Sequence, residues 1–177
     1  MADDVGYECF GCYGSNEYRT PRLDTLAAGG IRFEHCHSTP LCTPSRVNLM
    51  SGKSIVFNYE TFGSYPKGEP TFANHFKTHG YATAVAGKWQ LKTKTDGITP
   101  TEAGFDTYCV WNYPGTTRER YWNPSLIQDG TLLKLPQESY GPTVVTDFLI
   151  EFIQSNKQEP FLVYYPMILP HNPFLPT

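Results

Sequence analysis

The sequence lacks two features that would assign it to a broad class at once. No run of apolar residues approaches the about 20 that a membrane-spanning helix needs, and basic residues are not in excess. The formal net charge is −3 over 177 residues, whereas nucleic-acid binders usually carry a basic excess or patch. The first residues, MADDVGYE, contain neither the basic nor the apolar segment of a secretory signal peptide. We therefore expect no membrane span and no nucleic-acid partner.

The chain contains only five cysteines. This small, odd number disfavours a disulfide framework. Cys9-x-x-Cys12, together with His35, Cys36 and His37, permits a structural zinc site as a hypothesis. Against it, a second pair at good spacing is missing, and His35 and His37 alternate along a predicted strand that needs no metal. A non-catalytic fragment with a structural metal therefore stays open as an alternative.

Hydrophobic residues make up 40% of the sequence and aromatic residues 15%, enough for a packed core. Apolar periodicity and capping residues predict four helices, at 20–29, 43–52, 71–79 and 144–156. Short β-branched or alternating runs predict strands at 31–36, 81–87 and 161–166. The alternation of helices and strands predicts an α/β layer fold with a largely parallel sheet.

Two regions depart from this regular alternation. Residues 91–140 are rich in Gly, Pro, Thr and aromatics, and we predict a loop-rich excursion that carries binding function. Asp3 and Asp4 have the character of residues at a strand end, although no strand precedes them in this chain. We therefore expect a single domain over residues 1–177 that is incomplete at both ends.

The stretch LCTPSRVNLMSGK, residues 41–53, places a thiol beside a predicted helix start. With Thr43 as N-cap, Cys42 lies just before the helix and Arg46 at its third position. Free N–H groups and the helix dipole favour an anion there, and a guanidinium adds a bidentate fork. The pattern indicates a nucleophile beside an anion pocket. A buried cysteine before an ordinary capped helix explains it equally well from local physics alone.

The whole pattern C-x-P-S-R, followed by Leu-Met-Ser-Gly, resembles the type I sulfatases, a branch of the alkaline phosphatase superfamily. Four further segments resemble this family in the family's order: ADDVGYECFGCYG, TPRLDTLAAGGIRFEHCHS, AGKWQL and PFLVYYPMILPHNPF. The resemblance covers essentially all 177 residues. It implies an alkaline-phosphatase-like three-layer α/β sandwich with a largely parallel central sheet.

The resemblance also implies a nucleophile. Cys42 would be oxidised to formylglycine by a formylglycine-generating enzyme, which recognises a sequence that includes Pro44 and Arg46. One hydroxyl of the hydrated aldehyde would attack the sulfur of a sulfate ester, and the other would then expel sulfate. A plain thiol cannot perform that second step, so the cysteine would be a precursor.

The remaining roles follow from the same resemblance. Asp3, Asp4 and residue 42 would bind Ca²⁺, with Mg²⁺ as the alternative cation. Arg46 would hold the formylglycine hydrate.

Two further residues would contact the substrate. Lys88 would bind the sulfate, and His171 would bind it or assist the leaving group. In this picture Asp3–Asp4, Lys88 and His171 follow strand ends, where an α/β sheet binds ligands.

Two departures from the family pattern bear on activity. Gln90, which we place among the substrate-binding residues, stands where many members have a histidine, and glutamine cannot shuttle a proton. The family's further metal ligands, an Asp-Asn pair, and a second lysine lie downstream of the matching segments. We therefore expect a sulfatase fragment that is inactive by itself.

The expected substrate of the parent protein is a small-molecule or carbohydrate sulfate ester. By resemblance, the parent would act in the periplasm or outside the cell. A phosphate or phosphonate ester hydrolase of the same superfamily is the alternative within the enzyme class.

Overall fold

The computed structural model describes residues 1–176. Short 3₁₀ helices span Tyr7–Cys9 and Gly11–Tyr13. The α-helices are α1 (Pro21–Gly29), α2 (Cys42–Ser51), α3 (Ile55–Asn58), α4 (Phe72–Thr78) and α5 (Gly141–Asn156). The strands are β1 (Ala82–Lys88), β2 (Thr107–Trp111), β3 (Ile127–Gln128), β4 (Thr131–Leu132) and β5 (Phe161–Tyr164). None of the helices within residues 1–176 combines the length and apolar character that crossing a membrane requires.

One five-stranded sheet forms the centre of the fold, in the order β4-β3-β2-β1-β5. β1 lies between β2 and β5 and runs parallel to both, with Ala84 opposite Thr107 on one side and Val163 on the other. The two short strands β3 and β4 extend the β2 side in antiparallel fashion. The sheet is therefore parallel at its centre, as the sequence predicts.

Side chains on β1 alternate between two apolar clusters. Val85 joins one cluster with Val47 and Met50 of α2, while Ala84 and Ala86 join the other with α5 residues such as Leu149. Because both faces of β1 are covered by helices, nearly every residue of the strand is buried. Helices on both sides of one sheet give three layers, which confirms the predicted fold class.

The local signals at helix starts explain α4 well. The Thr71 hydroxyl accepts a hydrogen bond from the Asn74 N–H, and the Asn74 side chain accepts one from the Thr71 N–H, which completes a capping box. The predicted helices at 20–29, 71–79 and 144–156 are all present, the last beginning three residues earlier, at Gly141.

The predicted strand at 31–36 is wrong. Residues 31–36 form irregular structure, with Ile31 83% and Phe33 64% exposed. Alternation alone does not make a strand, because a strand also needs a neighbouring chain to pair with. None of the described strands pairs with this segment.

The irregular character predicted for residues 91–140 is only partly correct. The stretch contains β3 and β4 as well as β2, which pairs directly with the central strand and is buried over its last four residues. A loop-rich excursion therefore surrounds a strand of the main sheet.

Residues 1–3 extend beside the chain that follows β5. The Asp3 N–H donates to the Leu169 carbonyl at 3.0 Å, and the Met167 N–H donates to the Met1 carbonyl at 2.8 Å. Gly87, at φ +121°, allows the end of β1 to approach the same segment, since a Cβ there would overlap the Pro166 carbonyl. Three separate segments thus converge at one end of the sheet.

Candidate active site

A buried charge network lies where these segments meet. The Asp3 carboxylate contacts Arg46 Nη2 at 3.2 Å through Oδ1 and Lys88 Nζ at 2.7 Å through Oδ2. Arg46 Nη1 also donates to the Lys88 carbonyl at 2.7 Å. All three residues are at most 2% exposed. One carboxylate against two cations leaves a formal charge of +1 in this buried network.

Cys42 is the first residue of α2 and is partly buried. The helix begins two residues earlier than predicted, because Leu41 rather than Thr43 is the N-cap: the Leu41 carbonyl accepts the first helical bond, from the Ser45 N–H at 3.3 Å. Thr43 is therefore not the N-cap, and its hydroxyl instead accepts from the Gly63 N–H at 3.1 Å. The predicted position of Arg46 at the third residue of the helix is accordingly wrong, since it is the fifth.

A cavity of about 280 Å³ brings Cys42 together with Asp3 and Asp4. Its other wall carries small polar side chains, including Thr39 and Ser45, whose hydroxyl oxygens are 2.6 Å apart. Arg46 and Lys88 contact Asp3 but do not line the cavity. The cavity therefore has a thiol, two carboxylates and hydroxyls on its wall, and one of the carboxylates is paired with two buried cations.

His171 joins this site through Asp4, whose Oδ2 lies 3.3 Å from His171 Nε2. On the other side of the ring, Arg120 Nη2 lies 2.9 Å from Nδ1. The Tyr121 hydroxyl donates to the His171 carbonyl. Burial raises the pKa of Tyr121, although the nearby Arg120 opposes the shift, so the hydroxyl stays a donor at neutral pH. The imidazole is thus held on two sides.

Gln90 follows β1 and is 5% exposed. Its backbone adopts φ +54°, and its side-chain Oε1 is buried without a hydrogen-bond partner among the described residues. The structure does not bring Gln90 into contact with Asp3, Cys42 or His171.

The possible metal ligands of this chain suit a hard cation in their chemical type but are too few to hold one. Carboxylate oxygens are the ligands that Ca²⁺ and Mg²⁺ prefer, and six or more are usual. Within residues 1–176, no three His, Cys, Asp or Glu side chains stand close enough to hold a metal ion. Asp3 and Asp4 therefore offer oxygens of a suitable kind but do not by themselves make a cation site. The same finding gives no support to the zinc hypothesis. Cys36, one of the ligands in that hypothesis, is exposed.

The sequence did not single out Arg120 or Tyr121. Both lie in the stretch predicted as loop-rich, and neither belongs to a motif that points to His171. The only available signal was the density of aromatic and basic residues between 108 and 122.

Residues 1–177 match the protein-family model described as Sulfatase. This chain belongs to the sulfatase family. The N-acetylglucosamine-6-O-sulfatase of Bacteroides thetaiotaomicron is 30% identical to it over 100% of the chain and 31% of the relative. Human steryl-sulfatase is 40% identical over 82% of the chain and 29% of the relative.

Solved sulfatase structures confirm the alkaline-phosphatase-like fold of this sulfatase-family chain. A structure in complex with its substrate D-glucosamine-2-N,6-O-disulfate superimposes with a TM-score of 0.83 at 30% identity, covering 99% of this chain and 34% of the other. The chain thus spans about a third of the length of the relatives that it matches.

Proposed function

We propose that the full-length protein hydrolyses sulfate monoesters, with formylglycine derived from Cys42 as its nucleophile. The observation that carries this proposal is the cavity that places Cys42 beside Asp3 and Asp4, in front of a buried network of net positive charge. With Asp4 included, the four charged side chains sum to zero, so a cation held by the two carboxylates would supply the positive charge that attracts an anion. Membership of the sulfatase family supports the choice of sulfate.

Conversion of Cys42 would replace a thiol by a hydrated aldehyde, whose two hydroxyls allow attack on sulfur and subsequent release of sulfate. The protein's part is to hold this group at the N-terminus of α2, where the first N–H groups have no helical partner and favour an anion. Arg46, four residues later on the same helix, anchors that end of α2 to Lys88 and Asp3.

Lys88 and Arg46 are proposed to bind the sulfate and the formylglycine hydrate. Both already contact Asp3, so a cation on the Asp3 and Asp4 carboxylates would free part of their charge for an anion that enters the cavity. His171 is proposed to protonate the leaving oxygen or bind the sulfate, since its Nε2 faces the cavity carboxylate Asp4. Gln90 is proposed to donate a hydrogen bond to substrate through its amide.

Ca²⁺, or Mg²⁺ in its place, is proposed to bind Asp3, Asp4 and residue 42. Further ligands would come from the downstream part of the full-length protein. When bound, the cation would polarise the sulfate group. Both carboxylates lie on one cavity wall, and Asp4 is 60% exposed, so its oxygens are accessible to an ion.

The proposed substrate is a sulfated carbohydrate. The name of one relative and the ligand of one solved structure are of this kind: the N-acetylglucosamine-6-O-sulfatase and the structure bound to a disulfated glucosamine. By family resemblance, the protein would act in the periplasm or outside the cell, after modification by a formylglycine-generating enzyme.

Ester hydrolysis by the full-length protein from its native host tests the proposal. We expect release of sulfate from a sulfated monosaccharide and little release of phosphate from the matched phosphate monoester. Cys42→Ala should reduce the rate on the order of 10³-fold or more, whereas Cys36→Ala, at an exposed cysteine, should leave it unchanged. A preference for the phosphate ester, or full activity in Cys42→Ala, would overturn the proposal.

A further inference from the structure

A second, larger cavity of about 680 Å³ lies on the far side of His171. Aromatic side chains form much of its wall, among them Trp111, Tyr113 and Trp122. Arg118 and Arg120 bring positive charge to it and Glu119 negative charge, which leaves a formal charge of +1. The volume lies within the range of small-molecule sites. This cavity shares no lining residue with the one beside Cys42, and it is joined to the candidate active site through the contact between Arg120 and His171.

Arg120 is held firmly and yet is not paired with an acid. Its guanidinium carbon lies 4.8 Å from the centre of the Trp111 ring and 5.4 Å from that of Tyr121. No carboxylate of residues 1–176 lies within salt-bridge distance of it. Its Nε is buried and has no hydrogen-bond partner in the described chain. A ligand does not reach this buried atom, but the guanidinium as a whole has no counter-charge, and a cation without one favours an anion within its reach.

The backbone around Arg120 is also fixed. The Tyr121 carbonyl accepts a hydrogen bond from the Gly141 N–H, at the start of α5, at 2.6 Å. The Tyr121 hydroxyl donates to the His171 carbonyl. The guanidinium is therefore positioned before any ligand arrives, which reduces the entropy lost on binding.

Trp122 provides a surface of different chemistry in the same cavity. It is 40% exposed, and its ring centre lies 5.0 Å from that of Tyr140. One side of the indole is thus supported by a neighbour, and part of it is open. An open aromatic face suits the C–H face of a sugar ring, which is apolar on that side.

We propose that this cavity binds the sugar ring of the substrate and that Arg120 binds a second anionic substituent of that sugar, a sulfate or a carboxylate. This inference rests on the proposed sulfatase function and names its substrate class as a saccharide with two acidic groups. His171 lies between Asp4 and Arg120. The ester group to be cleaved and the second acidic group therefore bind on opposite sides of the His171 ring. Arg120 is a specificity residue in this account.

The test compares three ligands on the full-length protein. They are a monosulfated neutral monosaccharide, the same sugar with a second sulfate, and a sulfated uronic acid. Affinity is followed by tryptophan fluorescence, since Trp111 and Trp122 line the cavity, and kcat/KM is measured in parallel. We expect the wild-type protein to prefer at least one dianionic ligand, and the comparison of the second sulfate with the carboxylate identifies the group that Arg120 binds.

Variants distinguish loss of the Arg120 charge from general damage to the cavity. Arg120→Gln should lower the preference for the dianionic over the neutral ligand roughly 10- to 100-fold, and Arg120→Lys should restore part of it. Trp122→Ala should weaken binding of all three ligands and leave the preference unchanged. Arg22→Gln removes an exposed arginine of α1, remote from the cavity, and should change neither affinity nor preference.

Two outcomes would overturn the inference: equal affinity of the wild-type protein for the neutral and dianionic sugars, or an unchanged preference in Arg120→Gln. If Arg120→Gln fails to fold, the wild-type comparison decides. Binding of the dianionic sugar without sulfate release from any ester would contradict the proposed function while retaining the binding site. Sulfate release without a preference would contradict the binding site alone.

Discussion

At the scale of single residues, two neighbouring aspartates differ sharply in environment. Asp3 is 2% exposed, and its two oxygens contact Arg46 and Lys88. The side chain of Asp4 is 60% exposed, and within residues 1–176 its one ion-pair contact is with His171. Because a buried charge is tolerated only when it is paired, Asp3 is required for the stability of the site, whereas Asp4 is free to act on ligands.

The substitution Asp3→Asn is expected to lower the free energy of unfolding by about 3–5 kcal/mol, since it leaves two cations buried without a counter-charge. Asp4→Asn makes the same chemical change at an exposed position and should lower it by less than about 1 kcal/mol. Urea denaturation of both variants checks this. Similar losses in the two variants would show that the buried network is not the source of stability.

The residues of the site could be singled out from the sequence, but their contacts could not. The motifs directed attention to Asp3, Cys42, Lys88 and His171, because each stands in a segment with a recognisable pattern. That Arg46 and Lys88 share one carboxylate depends on segments 43 and 85 residues apart along the chain. Arg120 belongs to no motif, and only the fold brings it to His171.

At the scale of elements, Asp106 fastens the start of β2 to the start of β1. Its carboxylate accepts hydrogen bonds from the Thr83 N–H and hydroxyl, both at 2.9 Å, and contacts Lys77 Nζ of α4 at 2.7 Å. Burial acts to raise the pKa of Asp106, but the hydrogen bonds from Lys77 and Thr83 outweigh it, and the pKa lies below its ordinary value of 3.8.

This lowered pKa fixes the sign of a pH effect. A carboxyl with a lower pKa in the folded state adds stability above the unfolded value and loses it as the pH falls through the folded value. Asp106→Asn should therefore be less stable than the wild type at pH 7, and the difference should shrink below about pH 3.8. Thermal unfolding between pH 2 and 7 measures it, with the exposed Asp96→Asn as the control. A difference that does not change with pH would contradict the role of the carboxylate charge.

Elements with strong local signals could be predicted, and those that depend on a neighbour could not. α4 has a capping box, and α5 has a continuous apolar stripe, so both were predictable. β2 consists of residues with high strand propensity, TYCVW, but it stands among Gly, Pro and Asn residues that obscured it. The segment 31–36 shows the reverse case, since its alternating pattern has no strand beside it.

At the scale of the whole molecule, the core is unevenly distributed. The helices α2, α4 and α5 pack on the sheet, whereas α1 contributes no buried residue. Leu23 and Leu26 of α1 are 46% and 71% exposed, and Ile31 and Phe33 after it are more exposed than Leu23. The stability of this chain therefore resides in the sheet and its covering helices.

Two leucine substitutions compare the contributions of α5 and α1 to the stability of this chain. Leu149→Ala in α5, at 4% exposure, should lower the free energy of unfolding by about 2–5 kcal/mol because it leaves a cavity against the sheet. Leu26→Ala in α1 should change it by less than about 0.5 kcal/mol. Equal losses in chemical denaturation would show that α1 packs more tightly than its exposure indicates.

The central claim is that Cys42 is the precursor of the nucleophile. Peptide mass spectrometry across residues 41–53, on the full-length protein from its native host, tests it most directly. We expect the mass of an aldehyde at position 42, lost in Cys42→Ala and retained in Cys36→Ala. An unmodified thiol at that position would contradict the account, and it would leave Asp3, Asp4 and Arg46 as parts of an anion and metal site without turnover.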